Sequence, residues 1–394
     1  MIDYNSILAK AAVDMKPSGI RKFFDIAETL EGVISLGVGE PDFPTPWKIR
    51  QKAIATLEKG RIPYTANRGL AELRRAICTY IQATVGTTYD PDSEVIVTVG
   101  GSEAIDLSIR ATVEAGDEVL VVEPSFVCYA PIVALCGGVA VPIRTRVEDK
   151  FKLTAQALAE KITPKTKLLI LPYPNNPTGA VMHKDELEAI AEVLRGTNIL
   201  VLSDEIYSEL TFGAAHVSIS ALDGMRERTI LINGFSKAFA MTGWRLGYMA
   251  GPQEVIEHML KIHQYGIMSS PTVSQHAAIE ALRSCQEDVA AMVSEYNIRR
   301  RYMVDALNKL GLPCFEPEGA FYVFPSIQST GLSSTDFCER LVYSKKVAVV
   351  PGNAFGDCGE GFIRISYAYS IKHLKEAMRR IGEFLDELKN ENSQ

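Results

Sequence analysis

The sequence predicts an α/β protein, a large unit built on a mostly parallel sheet covered by helices and a smaller α+β unit after it. Three observations predict it. Short, nearly continuous apolar runs rich in β-branched residues recur through the middle of the 394-residue chain, as strands buried on both faces do. Segments with apolar residues on a three-to-four-residue period alternate with them, the spacing of a one-sided helix. Past about residue 285 a charged amphipathic stretch and short strands replace this alternation, so a second packing unit is expected there.

Taken in order, SEVIVTVG (93–100) is the first strand of the large unit. Ile105, Ile109 and Val113 then recur every fourth residue, which predicts a helix over 102–116 ending at Gly116, with Ser102 as its N-cap. DEVLVVEP (117–124), TKLLILPYP (166–174), NILVLSDE (198–205) and TILING (229–234) are the next strands, and HKDELEAIAEVLRG (183–196) is a helix with Asp185 near its start. WRLGY (244–248) is a further strand-like piece. YNIRRRYMVDALNKLG (296–311) is the charged amphipathic helix, and GAFYVFP (319–325) and GFIRISYA (361–368) are short strands. The expected division is a large unit over 46–285 and a small α+β unit over 286–394, which residues 1–45 join. The sequence contains no repeat, low-complexity linker or long charge run.

Composition removes several function classes. A net charge of −7 leaves no basic surface for nucleic acid. No apolar run approaches the roughly 18 residues that cross a bilayer. MIDYNSILAK lacks the apolar core of a secretory signal, and seven cysteines without a CxxC pair suit a reducing compartment, so a cytoplasmic protein is expected. His258 and His263, five residues apart, do not share a helix face, and HExxH is absent, so no metal is expected.

In open parallel sheets, ligands bind beyond the carboxyl ends of the strands. Those ends carry Gly100-Gly101-Ser102, Pro124-Ser125-Phe126, Asn175-Asn176-Pro177, Asp204 to Tyr207, and Ser236-Lys237. The glycine pair opening a helix is a tight turn, but its bare amides also suit an anion. Neither GxGxxG nor GxxxxGK[ST] is present, which argues against nucleotide binding. Arg245 is a salt-bridge former or a fork for a phosphate. Asp204 follows an apolar run; it either caps a following helix or, if buried, needs a positive partner such as a protonated ring nitrogen. Asn176 is a turn residue whose amide could donate to a phenolate, as could Tyr207. Phe126 is a core ring or a stacking platform. Lys237 stands with no acid in NGFSKAFAMTGWRLGY (233–248). An amine desolvated by Phe235, Ala238, Phe239 and Ala240 has a lowered pKa, which favours Schiff-base chemistry. One small molecule uses all of these groups: pyridoxal 5′-phosphate.

These landmarks, with SLGVGEPDFPTP (35–46), YTANRGLAELRRAI (64–77), GGSEAID (100–106), PSFVCYAP (124–131), PYPNNPTG (172–179), SDEIY (203–207), SKAFAMTGWRLGY (236–248), PEGAFYVFP (317–325) and FIRISYA (362–368), run over nearly the whole chain. They resemble the fold-type I pyridoxal-phosphate aminotransferases of class I/II, in the subgroup of prokaryotic aspartate, aromatic and N-acetyl-diaminopimelate aminotransferases. The resemblance implies a mostly parallel seven-stranded sheet in the large domain. It implies amino transfer between an L-amino acid and a 2-oxo acid by a ping-pong mechanism, with Lys237 attaching the cofactor. It further implies that Asp204 pairs with the ring nitrogen, Asn176 and Tyr207 bond the 3′-oxygen, and Phe126 stacks on the ring. Gly101, Ser102 and Glu103 through their backbone, with Ser236 and Arg245, hold the phosphate. Tyr64 reaches the phosphate of a neighbouring subunit, so a homodimer with sites at the interface is implied. Arg364 grips the substrate carboxylate, helped by the Gly39 backbone. One departure is Gly234, where many relatives carry a hydroxyl.

Three other readings compete. GFSKA (234–238) approaches the GxSxG elbow of serine hydrolases, but its last glycine is alanine and His373 falls in a helical stretch. A C–S β-lyase would use the same landmarks. A cofactor-binding transcriptional sensor lacks its basic DNA-binding module. On the substrate side, PSGIRKFFD (17–25) is a closing segment with Ile20 facing substrate. HQYGIMSSPTVSQ (263–275) comes from a second subunit, and its Ile267 and Met268 favour an aromatic or large donor. No second arginine for a dicarboxylate is evident in that stretch, and a lysine or arginine elsewhere could serve.

Overall fold

Apolar, β-branched runs become strands here because both of their faces are covered. The computed structural model describes residues 2–17 and 19–392; Ser18 of the expected closing segment lies outside them. A short strand β1 (Ile34–Ser35) precedes seven strands of one sheet: β2 (Val95–Thr98), β3 (Glu118–Glu123), β4 (Val139–Arg144), β5 (Thr166–Leu171), β6 (Leu200–Asp204), β7 (Thr229–Gly234) and β8 (Gly247–Ala250). Their order is β2-β8-β7-β6-β5-β3-β4. β4, β3, β5, β6 and β7 run parallel, while β8 is antiparallel to both β2 and β7. Every residue of β7 is buried. The sheet is the mostly parallel, seven-stranded one that the resemblance implies.

Strand β4 was not foreseen. It lies at the sheet edge, carries Pro142 and is half exposed, so it lacks the continuous apolar run of an interior strand. The helix expected over 102–116 spans Gly100–Thr112. Ser102 does not cap it. The N-cap is Val99, without a side-chain acceptor, because Gly100 takes a left-handed φ of +74° and turns β2 into the helix at once. The helix Lys184–Leu194 falls within its expected limits and is closed at its start by a capping box between His183 and Glu186.

Beyond the helix Gln286–Lys309, β9 (Tyr322–Val323), β10 (Val347–Ala348), β11 (Val350–Pro351) and β12 (Ile363–Ser366) complete the strands. β11, β12 and β9 form an antiparallel sheet in that order, and β10 pairs in parallel with β1, Ile34 opposite Val347. The helices Ser334–Lys345 and Ile371–Asn392 pack against each other beside them. Among the described residues no helix is long and apolar enough to cross a membrane, and no group of three or more His, Cys, Asp or Glu is arranged to hold a metal ion.

Candidate active site

A cavity of about 640 Å³ opens at the carboxyl ends of the parallel strands. Gly101 and Ser102 enter it from the helix after β2, Phe126 from the loop after β3, Asn176 from the loop after β5 and Asp204 from the end of β6. Tyr207 follows from the turn after β6, and Ser236 and Lys237 from the turn after β7. Tyr322 on β9 and Arg364 on β12 close one side, and Ile20, Arg21, Val38, Gly39 and Glu40 form the wall nearest the N-terminus. Twelve of the residues singled out in the sequence therefore share one cavity. Two do not line it. Tyr64 is 81% exposed on the outer surface, and Glu103 turns its side chain away, toward His263 and the Val99 amide.

The Lys237 amine donates to the Gly39 carbonyl oxygen at 2.6 Å. Burial lowers its pKa to about 8, against the carboxylate of Glu40, which pulls it upward. The source of that burial differs from expectation. Phe235 and Phe239 pack against each other in the core, 5.8 Å between ring centroids, and the rings nearest the amine are Tyr207 and Phe321, each at 5.9 Å. The acid missing from the local stretch is supplied by Glu40 across the cavity.

Asp204 caps no helix, because the residues after it form turns. Its Oδ2 accepts from the Tyr129 hydroxyl at 2.7 Å and its Oδ1 from the Ile206 amide at 3.3 Å. Burial pushes its carboxyl above the usual range; those two hydrogen bonds oppose the shift and the neighbouring Glu205 adds to it. Tyr129, three residues after Phe126, was missed. Its signal was its place in PSFVCYAP, but nothing local says that its ring is buried. Phe126 meets it edge-on at 6.1 Å.

Arg364 is 3% exposed. One terminal nitrogen donates to Asn176 Oδ1 at 2.8 Å and the other to the Gly37 carbonyl. Its guanidinium lies between the rings of Tyr322 and Phe355, at 4.5 and 4.8 Å, and its buried Nε has no partner. Asn176, expected beside Arg364 at the substrate, is thus oriented by it across 188 positions of sequence, which leaves Nδ2 as its donor. The Tyr207 and Tyr322 hydroxyls share a hydrogen bond of 2.7 Å. Tyr322 also explains Gly39, where a Cβ would lie 2.2 Å from its hydroxyl.

Arg245 lies just before β8, in a left-handed conformation with φ +51°, and not within the strand. A Cβ at Gly100 would come within 2.8 Å of its guanidinium, and one at Gly247 within 2.7 and 2.8 Å of the Gly100 and Gly101 backbone. Glycines at 100 and 247 thus let a guanidinium, a helix start and a strand meet. Gly234 is explained in the same way, since a Cβ there would sit 3.0 Å from Gly247 Cα. The stretch 263–275 offered no second arginine; Arg21, elsewhere in the chain, lines the cavity. Ile267 and Met268 do not line it; both are 46% exposed. His373 bonds Ser370 at 2.8 Å and does not pair with Ser236, so the hydrolase reading has no base.

A buried amine, a buried carboxylate and three guanidinium groups in one cavity define an enzyme site for a small anionic substrate. Residues 31–381 match the family described as aminotransferase class I and II, and the chain belongs to that family. It is an aminotransferase. It is 46% identical over 378 residues to an aromatic-amino-acid aminotransferase of Thermococcus litoralis, covering 95% of this chain and 97% of the relative. An aspartate aminotransferase of Pyrococcus abyssi is similar to the same extent, 46% over 378 residues, with 95% and 97% covered. The crystal structure of an aromatic aminotransferase from Pyrococcus horikoshii superposes with a TM-score of 0.89 at 45% identity, covering 93% of this chain and 99% of that one. The similarity favours amino transfer over C–S bond cleavage.

Proposed function

We propose that the cavity binds pyridoxal 5′-phosphate and uses it to move an amino group between an L-amino acid and a 2-oxo acid. The donor set fits this cofactor. Lys237 offers a buried amine of lowered pKa for the aldehyde, and Asp204 offers a buried carboxylate without a cation in hydrogen-bond contact. Arg245 lies beside an uncapped helix start, which suits a phosphate. Phe126 would stack on the ring, and Asn176 and Tyr207 would bond its oxygen. Ser236, with the Gly101, Ser102 and Glu103 backbone, would complete the phosphate contacts.

When bound, the cofactor supplies a carbonyl that links to amines and a ring that draws electrons from the substrate α-carbon. The remaining work falls to the chain. Asp204 would pair with the ring nitrogen and favour its protonated form. Arg364, whose buried Nε lacks a partner, binds the substrate carboxylate and so fixes which α-carbon bond is activated, with the Gly39 backbone beside it. Lys237 Nζ, with its pKa near 8, removes the α-proton and returns it. The single observation that carries the reading is the convergence of Lys237, Asp204 and Arg364 on one cavity.

The relatives named for aromatic and aspartate substrates suggest donors of those kinds; N-acetyl-diaminopimelate is a third candidate from the sequence resemblance. Ile20 gives the wall an apolar surface and Arg21 a cation. Exposed Tyr64, Tyr265, Ile267 and Met268 support a homodimer. The Asn67 amide donates to the Met268 carbonyl at 2.8 Å, tying the segments of Tyr64 and Met268 together, and Tyr64 of one copy would reach the phosphate of the other. The division at 45/46 and 285/286 and a cytoplasmic location complete the proposal. The test is to add pyridoxal 5′-phosphate to the purified protein and then single amino acids, following the visible absorption and the 2-oxo acid released. Lys237→Ala should retain the cofactor and release no oxo acid. Protein that stays colourless, or a variant with near-normal single turnover, overturns the proposal.

A further inference from the structure

Glu103 follows Gly101 and Ser102, which line the cavity, in the first turn of the helix Gly100–Thr112. A carboxylate there is the natural cap for the open amides of its own helix. Left free, it would compete with any phosphate for Gly101 and Ser102. In the structure it does not line the cavity, although Gly101, Ser102 and Ile105 do. Both of its oxygens are engaged away from Gly101 and Ser102. One accepts from the Val99 amide and the other meets His263 Nδ1 at 2.6 Å. His263 is fully buried on the helix Gln253–Gly266, and its Nε2 has no partner, so the ring makes one polar contact, to Glu103. A histidine buried at such cost with one nitrogen unsatisfied is held for the other.

We propose that His263 is a positioning residue that holds the Glu103 carboxylate on the Val99 amide, clear of the next turn, leaving the Gly101 and Ser102 amides open to a phosphate dianion. This rests on the cofactor reading above. It assigns Glu103 a side-chain role distinct from backbone contact with the phosphate.

The experiment measures dissociation constants of the cofactor-free full-length protein for pyridoxal 5′-phosphate and for pyridoxal, which lacks the phosphate, by quenching of intrinsic fluorescence. His263→Leu should weaken binding of the phosphorylated ligand about tenfold, the scale of one hydrogen bond to a charged group, and leave pyridoxal binding unchanged. His263→Asn keeps a donor near the position of Nδ1 and should behave as wild type. Adding Glu103→Gln to His263→Leu removes the competing charge and should restore most of the loss. Equal loss for both ligands, no loss, or no restoration by Glu103→Gln overturns the inference. If the leucine variant does not fold, His263→Ser against His263→Asn gives the same contrast. A wild-type protein without preference for the phosphorylated ligand instead overturns the cofactor reading itself.

Discussion

The Tyr129 hydroxyl donates to Asp204 Oδ2 at 2.7 Å inside the sheet-end cavity, the strongest polar contact that the buried carboxylate makes. Tyr129→Phe removes the larger of the two hydrogen bonds that hold the carboxylate ionised against burial. Its kcat should fall about tenfold, the scale of a hydrogen bond to a charged group, with little change in KM. Steady-state kinetics checks this, and an unchanged kcat would show that Tyr129 only fills space.

Burial raises the Asp204 carboxyl pKa, so the folded cofactor-free protein binds its proton more tightly than the unfolded chain does. Stability from this group is therefore lost as pH rises above the ordinary carboxylate range of about 4. Asp204→Asn should make the cofactor-free protein more stable than wild type near pH 7, with an advantage that shrinks toward about pH 4. Urea unfolding at the two pH values tests the sign, while amino transfer by the variant should drop by orders of magnitude.

Lys237 has the opposite sign. Its pKa falls from 10.5 to about 8 on folding. Between those values the unfolded chain carries the extra proton, so stability rises with pH across that window. Lys237→Met should be more stable than the wild-type cofactor-free protein below pH 8, and the gap should close as the pH climbs toward 10.5. A gap independent of pH would mean that the amine is not desolvated.

Gly39→Ala places a methyl 2.2 Å from the Tyr322 hydroxyl and 3.2 Å from its Cζ. The tyrosine must shift, which breaks its bond to Tyr207 and disturbs the face of Arg364. KM for the amino acid should rise by about an order of magnitude, since overpacking a tight contact costs roughly 1–3 kcal/mol. Tyr322→Phe removes the clashing oxygen, so the double variant should lose less than the sum of the single losses. Strict additivity would dissociate the two positions.

Arg21 lines the cavity with its side chain 79% exposed, and its ion pair with Asp25 is long, 3.6 Å. Such a pair is weak and leaves the guanidinium available. Arg21→Gln should reduce kcat/KM for dicarboxylic donors about fivefold, as expected for a solvent-exposed charge, and leave aromatic donors unaffected. Arg364→Ala should weaken both classes, by about a hundredfold for a desolvated ion pair.

Most of the fold was legible because buried parallel strands leave a continuous apolar run, whereas edge strand β4 breaks that run with Pro142 and exposed positions. Eight cavity residues, Gly101, Ser102, Phe126, Asn176, Asp204, Tyr207, Ser236 and Lys237, were legible because their motifs sit at strand ends, where topology forces convergence, whereas Gly39 and Arg364 came from the family resemblance. What stayed hidden depends on contacts between distant segments. The Tyr129–Asp204 bond, the Asn176–Arg364 bond and the seating of Lys237 on Gly39 each join residues 75 or more positions apart. Arg21 was overlooked because an exposed helical arginine has no local signature of a binding role.

The amine of residue 237 grips a carbonyl 198 positions earlier in the chain. That grip works as a latch on the wall carrying residues 38–40. Once the nitrogen is engaged by a ligand, the latch is undone and the wall is free to move by a hydrogen bond's worth of restraint.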